Sequence, residues 1–163
     1  MQYTLSILVE NQAGVLSKIS GLFSRRGFNI DSLAVGVTQD PSVSRITIVA
    51  NGDEYIVEQL EKQLNKLIDV IKVRHLPAEE LLSRELVLIK VACQPSQRAE
   101  LISLAEIAKA KISDITVNTM TLELSDSVPR IKTFEELLRP YGIKETVRTG
   151  SIAMQKGGAS MKL

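Results

Sequence analysis

The chain has 163 residues, of which 44% are hydrophobic and 24% charged, with a formal net charge of +1. That balance is that of an ordinary soluble globular protein, and it excludes bulk electrostatic attraction to nucleic acid or an anionic membrane. A single cysteine, Cys93, excludes an intramolecular disulfide and fits a reducing compartment.

The N-terminus opens on an alternating strand rather than a basic segment followed by an apolar run, so no secretory signal is expected. No apolar stretch approaches the roughly 20 residues needed to span a bilayer, and a cytoplasmic location without membrane partners is the expectation. In residues 3–10, Tyr3, Leu5, Ile7 and Val9 alternate with Thr4, Ser6, Leu8 and Glu10, which predicts a half-buried strand. From Gly14 the period changes. Val15, Leu16, Ile19, Leu22 and Phe23 recur at helical steps, and Gly27 follows as a left-handed stop. Residues 28–38 form the next strand, Gln39-Asp40-Pro41-Ser42 a turn, and residues 43–50 a third strand. Asp53 can cap a second helix marked by Ile56, Val57, Leu60, Leu64 and Leu67. Residues 70–74 supply a fourth short strand.

A connector, Leu76-Pro77-Ala78-Glu79-Glu80, follows, readable as a helical turn with Pro77 at its start rather than an extended linker, and the same order then restarts. Residues 85–93 read as a strand holding Cys93 as a small hydrophobe. A helix follows Gln94-Pro95-Ser96 and carries Ala99, Ile102, Ala105, Ile107 and Ala108. Residues 112–117 and 120–124 are strands, and Ser127 and Pro129 open a helix ended by Pro140 and Gly142. The last strand is 143–149, or that span extended to Met154. Each half thus has the order βαββαβ, and right-handed crossovers place both helices on one face of a four-stranded antiparallel sheet. The fold class expected is α+β, two tandem ferredoxin-like units: residues 1–76, a linker at 77–83, a second unit at 84–156 and a mobile tail at 157–163. The open face of the first sheet carries Leu8 and either the Asn29, Leu33, Val35 row or its alternate. Its apolar content predicts a homodimer that covers sheet edges or faces, with a two-fold axis near the strand beginning at Phe28.

Chemistry concentrates at Asn11-Gln12-Ala13-Gly14, where backbone N–H groups open a helix whose dipole favours a carboxylate or phosphate. Gly14 allows close approach, so the N–H groups of Gly14, Val15 and Leu16 can converge on an anion. Asn11 and Asn29 can offer oxygens to an ammonium group, and Val15, Leu16, Ile30 and Val35 could wall a branched aliphatic side chain. A plainer reading stands beside this one: Asn11 caps a turn, Gly14 starts a helix, and Asn29 satisfies backbone groups. No zinc cluster, Gly-rich phosphate loop or nucleophile elbow occurs, so no catalytic residue and no metal ligand is assigned. His75 reads as a strand-end surface residue. An acylphosphatase-like enzyme would need a cation in the first loop, which has none, and few aromatics argue against an RNA-binding sheet.

The run VENQAGVLSKISGLFSRRGFNIDSLAV, followed by Asp40-Pro41 and Ser44-Arg45-Ile46-Thr47-Ile48, resembles an ACT domain. More narrowly it is similar to the small regulatory subunit of acetohydroxyacid (acetolactate) synthase. Generic ACT domains often carry Asp and Pro in the first turn, where Asn11 and Ala13 stand here, a departure shared with the narrower family. The resemblance implies that residues 1–76 are an ACT domain that binds an amino acid and dimerises. It implies a catalytic large subunit as partner, with thiamine diphosphate, magnesium and FAD on that subunit and no cofactor on this chain. It also implies feedback inhibition by a branched-chain amino acid, usually valine, held by Asn11, Gly14, Val15 and Leu16 of one chain and Asn29 and Ile30 of the other. An amino-acid sensor for a different biosynthetic enzyme is the alternative.

Overall fold

The computed structural model describes residues 1–162, which divide into two compact units. The first unit comprises Met1–Ser83 and Ser151–Leu163; the second comprises Arg84–Gly150.

In the first unit the order is β1 (Gln2–Glu10), α1 (Val15–Arg25), β2 (Ile30–Val37), β3 (Val43–Asn51), α2 (Glu54–Leu64) and β4 (Val70–Leu76). The strands pair in the order β2-β3-β1-β4, antiparallel throughout. Tyr3, Leu5, Ile7 and Val9 alternate onto one face, where they meet Ile46, Ile48 and Ala50 and the apolar stripes of α1 and α2. α1 ends as its sequence requires. Gly27 takes φ 70°, its N–H donates to Ser24 O (3.1 Å), and the Phe28 N–H donates to Phe23 O (3.1 Å). These two bonds make a Schellman stop, and Phe28 lies edge-on to Phe23 with ring centroids 6.2 Å apart. α2 starts at Asp53, whose carboxylate accepts from the Tyr55 N–H (3.1 Å).

The second unit repeats the plan with β5 (Leu81–Ala92), α3 (Arg98–Ala108), β6 (Lys111–Ile115), β7 (Thr119–Asp126), α4 (Val128–Leu138) and β8 (Ile143–Arg148), in sheet order β6-β7-β5-β8. Val87, Ile89, Val91, Met120, Leu122 and Leu124 face Leu101, Ile131, Phe134 and Leu138 of the helices. Cys93 is fully buried in this core, as its apolar context requires. Glu85, though buried, is paired with Arg148 (3.3 Å), which also reaches Glu135.

Several expectations are corrected. The connector is a helical turn after Pro77, a 3-10 turn at Ala78–Glu80, but it runs straight into β5, so residues 77–83 are no separate linker and the division between units falls inside that strand. The second unit closes at Gly150 rather than at 156. Residues 143–154 are not one strand either, because Gly150 turns the chain at φ 81° before β9 (Ile152–Gln155). β9 packs with the first unit and pairs with β5. Of the expected tail at 157–163, residues 157–162 form no helix or strand and residue 163 lies outside the described residues.

Of the two rows open to the outer face, the alternate one takes it. Leu33 pairs with Ile48 and Val35 with Ile46, so both lie on the helix side of the sheet, and Ser32, Ala34 and Gly36 form the alternate row. Leu33 and Val35 stay 36% and 49% exposed there because β2 is an edge strand. On the opposite face, Ser6, Leu8, Thr47 and Val49 are buried, and β9 lies against β1 on that side through Arg45, whose Nη2 donates to Ala153 O (2.8 Å). The chain's own C-terminal segment therefore lies on this face of the first sheet.

A methyl group at Gly52 would fall on the Phe28 ring, which is itself held against Phe23. Gly52→Ala is expected to destabilise the first unit by about 1–3 kcal/mol through overpacking. Combining it with Phe28→Leu should cost less than the two separate losses added together. Urea unfolding of the three variants checks this, and strict additivity would contradict it.

Candidate functional site

The loop after β1 is held from two sides. The Glu10 N–H donates to Asp69 O (2.9 Å), and the Asn11 N–H donates to Ser42 O (2.7 Å). Asn11 Nδ2 donates to Pro41 O (2.9 Å), which leaves its side-chain oxygen as the acceptor on offer. The Asp40-Pro41 turn thus does more than join β2 to β3, because it positions Asn11. Asp40 Oδ1 accepts from the Ser42 N–H (2.9 Å) and the Ser42 hydroxyl (2.7 Å), and Thr38 Oγ1 donates to Asp40 O (3.0 Å). The Ser42 hydroxyl first, and then its N–H, hold the Asp40 carboxyl below its ordinary value.

Gly14 turns this loop into the helix at φ 86°, a left-handed conformation that L side chains rarely adopt. An added Cβ would meet nothing within 4 Å, so the backbone and not crowding calls for glycine there. The consequence is a helix start with no side-chain cap and no acidic residue in its first turn. The N–H groups of Val15, Leu16 and Ser17 point out of a dipole's positive end with no acceptor in their own helix. One turn on, Lys18 Nζ meets Asp69 Oδ2 at 2.6 Å and ties α1 to the loop before β4. Lys18 is mostly exposed, so the pair contributes about 1 kcal/mol at most.

Leu16 is 41% exposed beside these donors, whereas Val15 is buried in the core. What Val15 offers the site is its N–H; its side chain is not available as a pocket wall. Asn29 and Ile30 are not near this helix end within one chain. Ile30 pairs with Ala50, which pairs with Tyr3, whereas Asn11 follows Glu10 at the far end of β1. The 11 residues of α1 put about 16 Å between the two groups, at 1.5 Å per residue.

Asn29 belongs to a cluster that the sequence reading passed over. Asp31 accepts from Asn29 Nδ2 (3.5 Å) and Gln2 Nε2 (3.4 Å), and from Asn51 Nδ2. It is the only acid in β2, and an acid one place inside a strand start is the signal that could have found it. The Asn29 side-chain oxygen is left as an acceptor.

Among the described residues no group of three or more His, Cys, Asp or Glu could hold a metal, and no helix is long and apolar enough to cross a membrane. His75 is half-buried in β4 and packs beside Tyr3, with ring centroids 5.5 Å apart. In the second unit a cavity of about 330 Å³ lies between α3 and α4, lined mainly by Leu104, Ile107, Leu124 and Phe134. Its only charges, Asp126 and Arg130, are paired with each other at 2.7 Å.

Comparison with known proteins matches residues 5–72 to the acetohydroxyacid synthase small subunit-like ACT domain, and residues 84–157 to the small subunit of acetolactate synthase. A probable acetolactate synthase small subunit from Archaeoglobus fulgidus is 46% identical over 96% of this chain and 98% of its own length. The acetolactate synthase small subunit of Mycobacterium leprae is 43% identical over 95% of this chain and 92% of its own. The crystal structure of the acetolactate synthase small subunit from Thermotoga maritima superposes with a TM-score of 0.91 at 36% identity, covering 98% of this chain and 99% of that one.

The Asp40 bonds to Ser42 give a pH dependence with a definite sign. A carboxyl whose folded value is lowered stabilises its turn fully above the unfolded value and loses that contribution as pH falls through the folded value. The Asn11 side-chain amide, followed by NMR, is expected to shift on acidification with a midpoint below the ordinary aspartate range. Asp40→Asn should abolish that step. A midpoint at the ordinary value would show that Ser42 does not hold Asp40 in solution.

Proposed function

The chain belongs to the acetolactate synthase small-subunit family, its first unit being an ACT domain, and on that premise we propose that it regulates a catalytic large subunit. On this reading it activates that partner in the cytoplasm and confers feedback inhibition by valine in branched-chain amino-acid synthesis. Thiamine diphosphate, magnesium and FAD belong to the large subunit, and this chain adds no group to the reacting atoms. The match of both units over nearly the whole length speaks against a sensor for a different enzyme.

The observation that carries the reading is the uncapped, acid-free start of α1 beside a fixed Asn11. An amino acid's carboxylate fits the N–H groups of Gly14, Val15 and Leu16, and hydrogen bonds to such a charged group contribute about 1.5–3 kcal/mol each. Its ammonium group fits the oxygens that Asn11 and Asn29 leave on offer.

The separation of Asn29 from Asn11 then has a physical use. Val37 at the end of β2 pairs with Ser44, which pairs with Val9, so the end of β2 lies beside the Asn11 loop. Two β2 edges paired antiparallel about a two-fold axis would bring Asn29 and Ile30 of one chain to Asn11 and Gly14 of the other. The edge is fit for this: it holds no lysine and no proline, and Leu33, Val35 and Val37 are all exposed along it. Leu16, Ile30 and Val35 then supply the apolar wall for a branched side chain.

L-Valine titrated into the full chain is expected to give saturable heat, and valine amide, which lacks the carboxylate, to give none. Silence with L-valine at millimolar concentration would remove the site. Val35→Lys places a charge on the exposed edge, so it should leave the circular dichroism unchanged, shift sedimentation from dimer to monomer and abolish the valine heat. A variant that stays dimeric, or a monomer that still binds, would refute the shared site.

A further inference from the structure

Ser151–Gln155 leaves the second unit at Gly150 and returns to the first, where it lies on the sheet face opposite the helices. Its attachment is polar and specific. The Ser151 N–H donates to Ser32 Oγ (2.7 Å), Arg45 Nη2 to Ala153 O (2.8 Å) and Arg74 Nη1 to Gln155 Oε1 (3.2 Å). Ser151 and Ala153 are buried, at 4% and 7% exposure, so their bonds are made away from water, where an unmade one costs most. Burial first, and then the neighbouring Arg74, disfavour the charge on Arg45, yet in these bonds both guanidinium groups meet neutral oxygens. They serve to grip a peptide segment.

Ser32 is the telling member. It stands on β2 two residues past Ile30, and its side chain lies on the face away from the helices, because Ser32 pairs with Val49 while Leu33 pairs with Ile48. One strand thus carries Asn29 and Ile30 at its start and the anchor of Ser151 on its back. A residue fixed to β2 through one short hydrogen bond moves with β2, and the next residue upstream, Gly150, is the last of the second unit. We propose that Ser151–Gln155 is the element through which occupancy of the amino-acid site on β2 is felt by the second unit, with Ser32 and Arg45 as its positioning residues. The inference rests on the reading of the first unit as an amino-acid site and adds the route by which that site acts.

The test uses the full chain, alone and joined to its large subunit, with L-valine as probe. In the parent, hydrogen exchange at the amides of Ser151–Gln155 should slow about fivefold or more on saturation with valine, the lower range of a site-to-site coupling. Ser32→Ala should bind valine in calorimetry as the parent does, yet lose that protection and require about fivefold more valine for half-inhibition of the holoenzyme. Arg74→Gln, which loosens the same segment without touching β2, should weaken inhibition in the same direction and serves if Ser32→Ala does not fold. If the parent binds valine and these amides exchange as before, or if both folded variants are inhibited as the parent is, the route is refuted and the site stands. If the parent binds no valine, the site itself is refuted and the route falls with it.

Discussion

The first turn of α1 holds N–H groups that no side-chain cap satisfies among the described residues, at a helix start without an acid. α2, in the same unit, shows what an ordinary start looks like: Asp53 lends a carboxylate to the Tyr55 N–H and Glu54 adds charge to the first turn. α1 has neither, because its cap position is Gly14 in a left-handed conformation. With glycine at the cap, giving up a side-chain cap costs only a few tenths of a kcal/mol. A helix that forgoes it can accept an outside anion there without first displacing a side chain. Glycine serves both ends of that exchange, since it adopts the backbone angle and leaves the approach open.

Around this helix end the loops are braced rather than free. Asn11 is fixed by the Pro41 and Ser42 carbonyls, the Asp40 carboxylate fixes Ser42, and Lys18 bonds Asp69, whose own carbonyl receives Glu10. The bracing ties together three loops that are far apart in sequence. Asn29 is braced as well, through Asp31, but at the opposite end of the sheet. Within one chain these two braced groups therefore lie about 16 Å apart, the length of α1.

The sequence was legible wherever one rule acted alone. The period-two run of β1, the Gly27 stop, the Asp53 cap and the burial of Cys93 all follow from local patterning. It was silent where two rules competed. α3 ends on Lys109 at φ 58°, the conformation that Gly27 takes after α1, and a lysine there gives no sign of a stop. Leu33 and Val35 alternate correctly, but only pairing with Ile48 and Ile46 decides which face they share. Within the site, Gly14 and Asn11 could be read from their turn. The burial of Val15 and the Asp31 cluster depend on contacts between residues far apart in sequence.

The largest departure from the sequence reading concerns chain order, and it explains the open face. A βαββαβ unit has helices on one side only, so its other face must find a cover or remain wet. Here Ser6, Leu8, Thr47 and Val49 on that face are buried, and the chain sends residues 151–155 back to it after finishing the second unit. No periodicity in that segment announces this, because β9 is four residues long and its partners, β5, Arg45 and Arg74, lie far earlier in the sequence. The first unit is thereby built from both ends of the chain, with the second unit inserted between them. Each unit then depends on two covalent crossings, at Ser83–Arg84 and Gly150–Ser151.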